Sequence, residues 1–190
     1  MRSLRQLART LVKRIARGAT NDSPPNDPPQ PRSAPPQPTP PPKSENSSCR
    51  PADLETLRTA LFDTGRPLLA NHWATWCDGC VEELPLLVEL HSRIGDRVDF
   101  LGVSWDGFQG GGDAQELCRQ VEKFAQQQGL PWESLLVDVG PEELFEGLAM
   151  DCHTVPQLWL INASGEVVHR VEQVLDDELL AALERAAESL

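Results

Sequence analysis

Apolar positions in the second half of the chain recur with two periods. Leu54, Leu57, Leu61 and Phe62 share one face at helical spacing, and Pro51 suits a first helical turn, so a helix is predicted over Pro51–Phe62. Gly65-Arg66-Pro67 reads as a turn. An apolar run over Leu68–Trp73 predicts a buried strand. Asp78–His91 reads as a helix with Val81, Leu84, Leu87 and Val88 inward and a kink at Pro85. Val98–Trp105 is the next strand, followed by a Gly-rich turn over Phe108–Gly112.

Leu117, Val121 and Phe124 mark a helix over Asp113–Gln128, with Cys118 beside the stripe as a packing residue. A short strand over Leu135–Asp138 and a short helix over Pro141–Leu148 come next. Strands follow at Gln157–Asn162 and Val167–Val171, joined by a turn at Ser164-Gly165, and a last helix covers Asp176–Glu188. Helices and strands that alternate and then close with a hairpin indicate an α/β fold, a mixed central sheet with helices on both faces.

The first fifty residues follow neither period in that way. Residues 1–20 are basic and without an acidic residue. Leu4, Leu7, Leu11 and Ile15 recur at helical spacing, a basic amphipathic segment suited to peripheral membrane or partner contact, with a disordered basic tail or a start codon placed upstream of the true one as the favoured plainer reading. Residues 21–50 form a Pro-rich linker, expected to be disordered, extended and solvated, with eleven of the seventeen prolines. Cys49 ends it as an exposed or half-exposed thiol. Residues 51–190 form the folded domain. No uninterrupted apolar stretch marks a secretory signal or a membrane span, so a cytoplasmic or membrane-peripheral location is expected, with the periplasm or cell envelope as the alternative.

Charge separates the same segments. The chain carries a formal net charge of -12, yet residues 1–50 hold nine Lys/Arg against three Asp/Glu. The domain is therefore strongly acidic, which excludes nucleic acid as its partner. Five cysteines are too few for a disulfide-stapled scaffold. The Gly-rich turn lacks the Gly-Lys-Ser/Thr of a phosphate loop and is flanked by Asp106 and Asp113.

Candidate chemistry gathers at Trp73-Ala74-Thr75-Trp76-Cys77-Asp78-Gly79-Cys80, where a strand feeds a Cys-x-x-Cys into a helix. In that context the motif reads as a redox dithiol rather than half of a zinc site. Cys77 falls at the helix start, where free N–H groups and the macrodipole favour a thiolate, and Cys80 lies one turn in. Glu82 and Glu83 are read as partners of the helix dipole. His72 is read as a satisfied interior histidine, His91 and His169 as surface residues, and Trp73 as core.

Trp-Ala-Thr-Trp-Cys-x-x-Cys followed by Glu82-Glu83-Leu84-Pro85, with Thr154-Val155-Pro156 and the strand after it, resembles the thioredoxin superfamily, specifically its TlpA/ResA-like thiol-disulfide oxidoreductases. The resemblance runs from about Ala52 to the C-terminus. It implies a thioredoxin fold with a TlpA-like central insertion, a cis peptide before Pro156, and Pro156 packed beside the cysteines. It implies Cys77 and Cys80 as catalytic residues, and Trp76, Thr154, Val155 and Pro156 as the surface that meets protein thiols and disulfides. No cofactor and no metal are expected, and of the oligomeric states, which the sequence does not fix, a monomer is favoured. Gly79 departs from the proline usual in the family, and Asp78 sets a negative charge beside the nucleophile.

Alternatives remain open at this point. One is a non-catalytic thioredoxin-like binding module. Another is a metal site drawn from Cys77, Cys80, Cys152 and His153. A peroxidase on the same fold would want a threonine three residues before its reactive cysteine, and Thr75 is two before. Three residues separate Cys152 from Pro156, so Cys152 lines the rim of the dithiol if Pro156 abuts the cysteines; the plainer and favoured reading is an inert thiol facing the core.

Overall fold

A computed structural model describes residues 48–109 and 112–190. The expected basic segment and most of the linker fall outside the described residues. Among the described residues five α-helices flank one six-stranded sheet. In chain order the elements are β1 (Cys49–Ala52), α1 (Leu54–Phe62), β2 (Leu68–Trp73), α2 (Asp78–Ile94), β3 (Asp99–Ser104), a 3-10 turn (Asp106–Gln109), α3 (Ala114–Gln127), β4 (Ser134–Val137), α4 (Pro141–Gly147), β5 (Gln157–Ile161), β6 (Val167–Val171) and α5 (Asp177–Glu188). The sheet order is β1-β4-β3-β2-β5-β6. The first four strands of that row run parallel, and β5 and β6 are antiparallel to their neighbours. This is the mixed sheet with two covered faces that the patterning predicts.

Strand β2 lies inside the sheet, between β3 and β5, and every one of its residues is buried. Its side chains alternate between two cores. Leu69 and Trp73 join Leu84, Leu87 and Leu90 of α2, Val121 and Ala125 of α3, and Leu180 and Leu183 of α5. Leu68 and Ala70 face the other way, toward Leu57 and Leu61 of α1 and Leu144 of α4. The strand thus carries the cysteine segment to the carboxyl end of a sheet fixed from both sides.

The first strand corrects the expectation of a helix from Pro51. Cys49-Arg50-Pro51-Ala52 pair in parallel with Ser134–Val137, and α1 starts only at Leu54, where Asp53 caps it by accepting the Thr56 N–H at 2.9 Å. Pro51 is tolerated because β1 has one neighbour only, and an edge strand can leave one side unbonded. Cys49 is accordingly half-buried against the core of α3. Asp113 and Asp176, expected inside their helices, are instead the N-caps of α3 and α5. Helix α2 continues through Pro85 to Ile94, three residues past the predicted end.

Two side-chain expectations change. His91 is half-buried, with ring contacts to Phe100 and Trp132. His72 is interior as expected but has no hydrogen-bond partner among the described residues on either ring nitrogen. It packs on Trp159 with ring centroids 4.5 Å apart. Burial, with Arg170 nearby, pushes its pKa down to about 3, so the ring is neutral. No helix among the described residues is long and apolar enough to cross a membrane.

Candidate functional site

Cys77 occupies the N-cap of α2, with extended backbone and its Sγ accepting the Cys80 N–H at 3.2 Å. A sulfur in that place meets the free N–H groups of the first turn, which favour negative charge on it. Cys77 and Cys80 are joined in a disulfide with Cα atoms 5.2 Å apart, so one helical turn spans the bridge. The two sulfurs differ in access: Cys77 is half-exposed and Cys80 is fully buried.

The segment before the dithiol is held by a residue outside the Cys-x-x-Cys pattern. Asp106, buried at the start of the 3-10 turn, accepts the Thr75 N–H through both carboxylate oxygens at 3.2 Å. The Thr75 hydroxyl also donates to Asp106, and the Ser104 hydroxyl donates to it at 2.7 Å. A carboxylate taking up several donors is a stable arrangement in a buried place. It fixes the turn from β2 into α2 and engages the Thr75 hydroxyl.

On the far side of the dithiol, the Val155–Pro156 peptide is cis, as the resemblance implies. Pro156 reaches Gly79: a Cβ placed on Gly79 would lie 3.8 Å from the Pro156 Cδ and 2.7 Å from a Val174 methyl. The structure therefore brings Pro156 against the Cys-x-x-Cys turn. Gln157 supports this loop from the buried start of β5, donating to the carbonyls of Cys152 at 3.0 Å and Thr154 at 2.5 Å. Trp76 and Val174 stand out as exposed apolar side chains, 41% and 40% accessible. Val174 was missed in the sequence, where it lies in an unremarkable stretch between β6 and α5.

Glu83 corrects its reading as a dipole partner. It is fully buried, and its Oε2 accepts the Leu175 N–H at 3.0 Å while Oε1 has no partner among the described residues. Burial pushes its pKa up to about 7, against the opposing pull of the Leu175 N–H. Glu82 is exposed, as a dipole partner would be. Glu83 lies three residues after Cys80 on the same buried stripe of α2, where such neighbours have Cβ atoms about 5–6 Å apart.

The four alternative metal ligands do not form a set. Among the described residues no group of three or more His, Cys, Asp and Glu is placed to hold a metal ion. Cys77 and Cys80 bond to each other, His153 stacks on Phe145 with Nε2 3.1 Å from the Met150 carbonyl, and the Cys152 sulfur lies 3.3 Å from the Thr154 hydroxyl.

Comparison with known proteins agrees with this geometry. A family model described as AhpC/TSA family matches residues 43–170. The thiol:disulfide interchange protein HelX of Rhodobacter capsulatus is 26% identical over 61% of this chain and 57% of its own. The thiol-disulfide oxidoreductase ResA of Bacillus anthracis is 28% identical over 70% of this chain and 68% of its own. The chain thus spans little more than half the length of the first of these curated relatives. Among solved structures, a thiol:disulfide interchange protein from Bacteroides sp. superposes with a TM-score of 0.52 at 19% identity, covering 76% of this chain and 90% of that one. At that identity the likeness speaks for the fold, which is the thioredoxin fold.

Proposed function

Since this chain belongs to the AhpC/TSA family, as a TlpA/ResA-like member of the thioredoxin superfamily, we propose that it is a thiol-disulfide oxidoreductase exchanging disulfides with protein partners through Cys77 and Cys80. The observation that carries this reading is the asymmetry of the dithiol. The half-exposed sulfur sits at a helix N-terminus and the other is buried one turn behind it.

In the reducing direction the Cys77 thiolate attacks one sulfur of a partner disulfide and releases the other as a thiolate. Cys80 then loses its proton and attacks the Cys77 sulfur. The second partner thiolate leaves, and the Cys77–Cys80 bond remains. The oxidising direction is the same sequence reversed. Access decides the order, because a partner sulfur reaches Cys77 first. Glu83, held near half-ionisation at neutral pH, is suited to accept the Cys80 proton and return it. No cofactor is needed, since both electrons reside in the dithiol.

Trp76, Thr154, Val155 and Pro156 form the partner-docking rim in this reading, and Val174 extends it. Exposed apolar side chains beside a reactive sulfur are where a bound segment gains affinity. A cytoplasmic, membrane-peripheral site and the cell envelope both accommodate this chemistry, and fractionation with acid-quenched thiol trapping separates them. The reaction is tested by insulin reduction with dithiothreitol as electron source. The wild-type chain accelerates precipitation of the insulin B chain, and Cys77→Ser abolishes the acceleration. A wild-type rate equal to the dithiothreitol background removes the oxidoreductase reading in favour of a binding module.

A further inference from the structure

The chain holds a second pair of thiols that the exchange reaction does not use. Cys49 opens β1, Cys118 lies in the second turn of α3, and their sulfurs are 3.1 Å apart across a sequence separation of 69 residues. Both are free thiols. They lie on the α2 and α3 side of the sheet, with Cys118 buried in that core and Cys49 packed against it. The order β1-β4-β3-β2 places Cys49 three strands from β2, about 14 Å at ordinary strand spacing, so the pair is separate from the Cys77–Cys80 site.

We propose that Cys49 and Cys118 form a second, structural disulfide that clasps the first strand of the domain to α3. The sulfurs need to approach by only about 1 Å to reach bonding distance. Their place in the fold gives the bond a purpose. Strand β1 is four residues long, pairs with β4 alone, and follows the proline-rich segment. Short edge elements at a chain's entry into a domain are the first to fray. A bond from its first residue into a fourteen-residue helix holds it down.

The oxidant is a low-molecular-weight disulfide. Cys49, the more accessible of the two, attacks one of its sulfurs as the thiolate and releases one small thiol, leaving a mixed disulfide on Cys49. Cys118 gives up its proton and attacks the Cys49 sulfur, releasing the second small thiol. Two protein thiols are oxidised and one small disulfide is reduced to two thiols. Burial pushes both thiols up, and the Cys49–Cys118 contact raises Cys49 further, so the step is slow and the clasp, once closed, persists.

The full chain incubated with oxidised glutathione, acid-quenched, alkylated and mapped without reduction tests this. The expected map contains a Cys49–Cys118 cross-link beside Cys77–Cys80, with Cys152 outside both. The cross-linked protein is expected to melt higher than its Cys49→Ala variant by on the order of 10 °C under the same conditions. Because Cys49→Ala alters an edge strand, the melting comparison is repeated on wild-type chain before and after oxidation. Recovery of Cys49 and Cys118 as alkylated or singly glutathionylated residues overturns the proposal. A cross-linked chain that melts no higher than the unlinked one overturns it as well.

Discussion

The Glu83 carboxylate accepts the backbone N–H of Leu175, a residue 92 positions later in the chain, at 3.0 Å. That bond ties α2 to the segment before α5. The same segment carries Val174, whose methyl lies against Gly79 in the Cys-x-x-Cys turn. One buried carboxylate on α2, three residues after Cys80, is therefore bonded to the segment that carries Val174. Its second oxygen has no partner among the described residues, and burial raises its pKa to about 7 against the pull of the Leu175 N–H.

Opposing pH slopes follow from Glu83 and His72. For Glu83 the ordinary value is 4.5 and the folded one about 7. Between these the unfolded chain has released a proton that the fold retains, so stability falls as pH rises. For His72 the ordinary value is 6.5 and the folded one about 3. Between these the unfolded chain binds a proton that the fold refuses, so stability falls as pH drops. The windows overlap from about pH 4.5 to 6.5, and there the two contributions cancel, each worth at most about 1.4 kcal/mol per pH unit. Denaturant unfolding is expected to be nearly flat with pH in that range. Glu83→Gln, which keeps an acceptor for Leu175, leaves the His72 slope alone, and stability then climbs with pH. A Glu83→Gln profile parallel to wild type would refute the Glu83 assignment.

The order of attack predicts an asymmetric trapping result. With Cys80→Ser, the mixed disulfide on Cys77 has no resolving thiol and accumulates with partner proteins. With Cys77→Ser the remaining sulfur is buried, and trapping is expected to drop by at least about tenfold. Non-reducing gels of both variants from cells give the answer. Equal trapping by the two would mean that Cys80 is reached directly.

The strand Leu68–Trp73 was legible because all six of its residues are buried, and the patterning needed nothing else. Helix α3 was legible through Leu117, Val121 and Phe124. Cys77, Cys80 and Pro156 were legible because a strand-to-helix Cys-x-x-Cys and a Val-Pro before a strand are local patterns. Strand β1 was not, since Cys-Arg-Pro-Ala has no β-branched residue and owes its conformation to β4, which comes much later in the chain. Asp106 gave no signal, because Thr75, 31 residues earlier, meets it only through the fold, and a Ser two residues before an Asp is not a distinctive pattern. Glu83 did give one. Cys80, Glu83, Leu84, Leu87 and Leu90 form a single buried stripe of α2, and a carboxylate inside an apolar stripe points inward.

Asp106 is expected to matter to activity without touching a partner. Asp106→Ala leaves the Thr75 N–H and the Thr75 and Ser104 hydroxyls without their acceptor, a loss of about 2–4 kcal/mol in stability. The segment leading into Cys77 then loosens, and insulin reduction slows even below the unfolding temperature. Asp106→Asn, which keeps one acceptor oxygen, is expected to recover part of both. Denaturant unfolding and the reduction rate, measured on the same preparations, check this. Full activity in a folded Asp106→Ala chain would show that the Thr75 turn holds its shape alone.

Gly79 and Val174 are expected to be coupled. Gly79 lies in the first turn of α2, where alanine is ordinarily better than glycine by about 0.5–1 kcal/mol. The added methyl would sit 2.7 Å from the Val174 Cγ2, closer than two carbons can stand. In the wild-type background Gly79→Ala must therefore displace Val174 or the turn, and the helix gain is offset or reversed. In a Val174→Ala background the obstruction is gone and the same substitution should stabilise by the full helix increment. The double-mutant cycle is expected to give a coupling of about 1 kcal/mol. Proline at this position, usual in the resembled family, would meet the same methyl, so Gly79→Pro should also be better tolerated beside Val174→Ala. Denaturant unfolding of the four chains measures the cycle. Strict additivity, within about 0.3 kcal/mol, would mean that Val174 moves aside freely and places no constraint on residue 79.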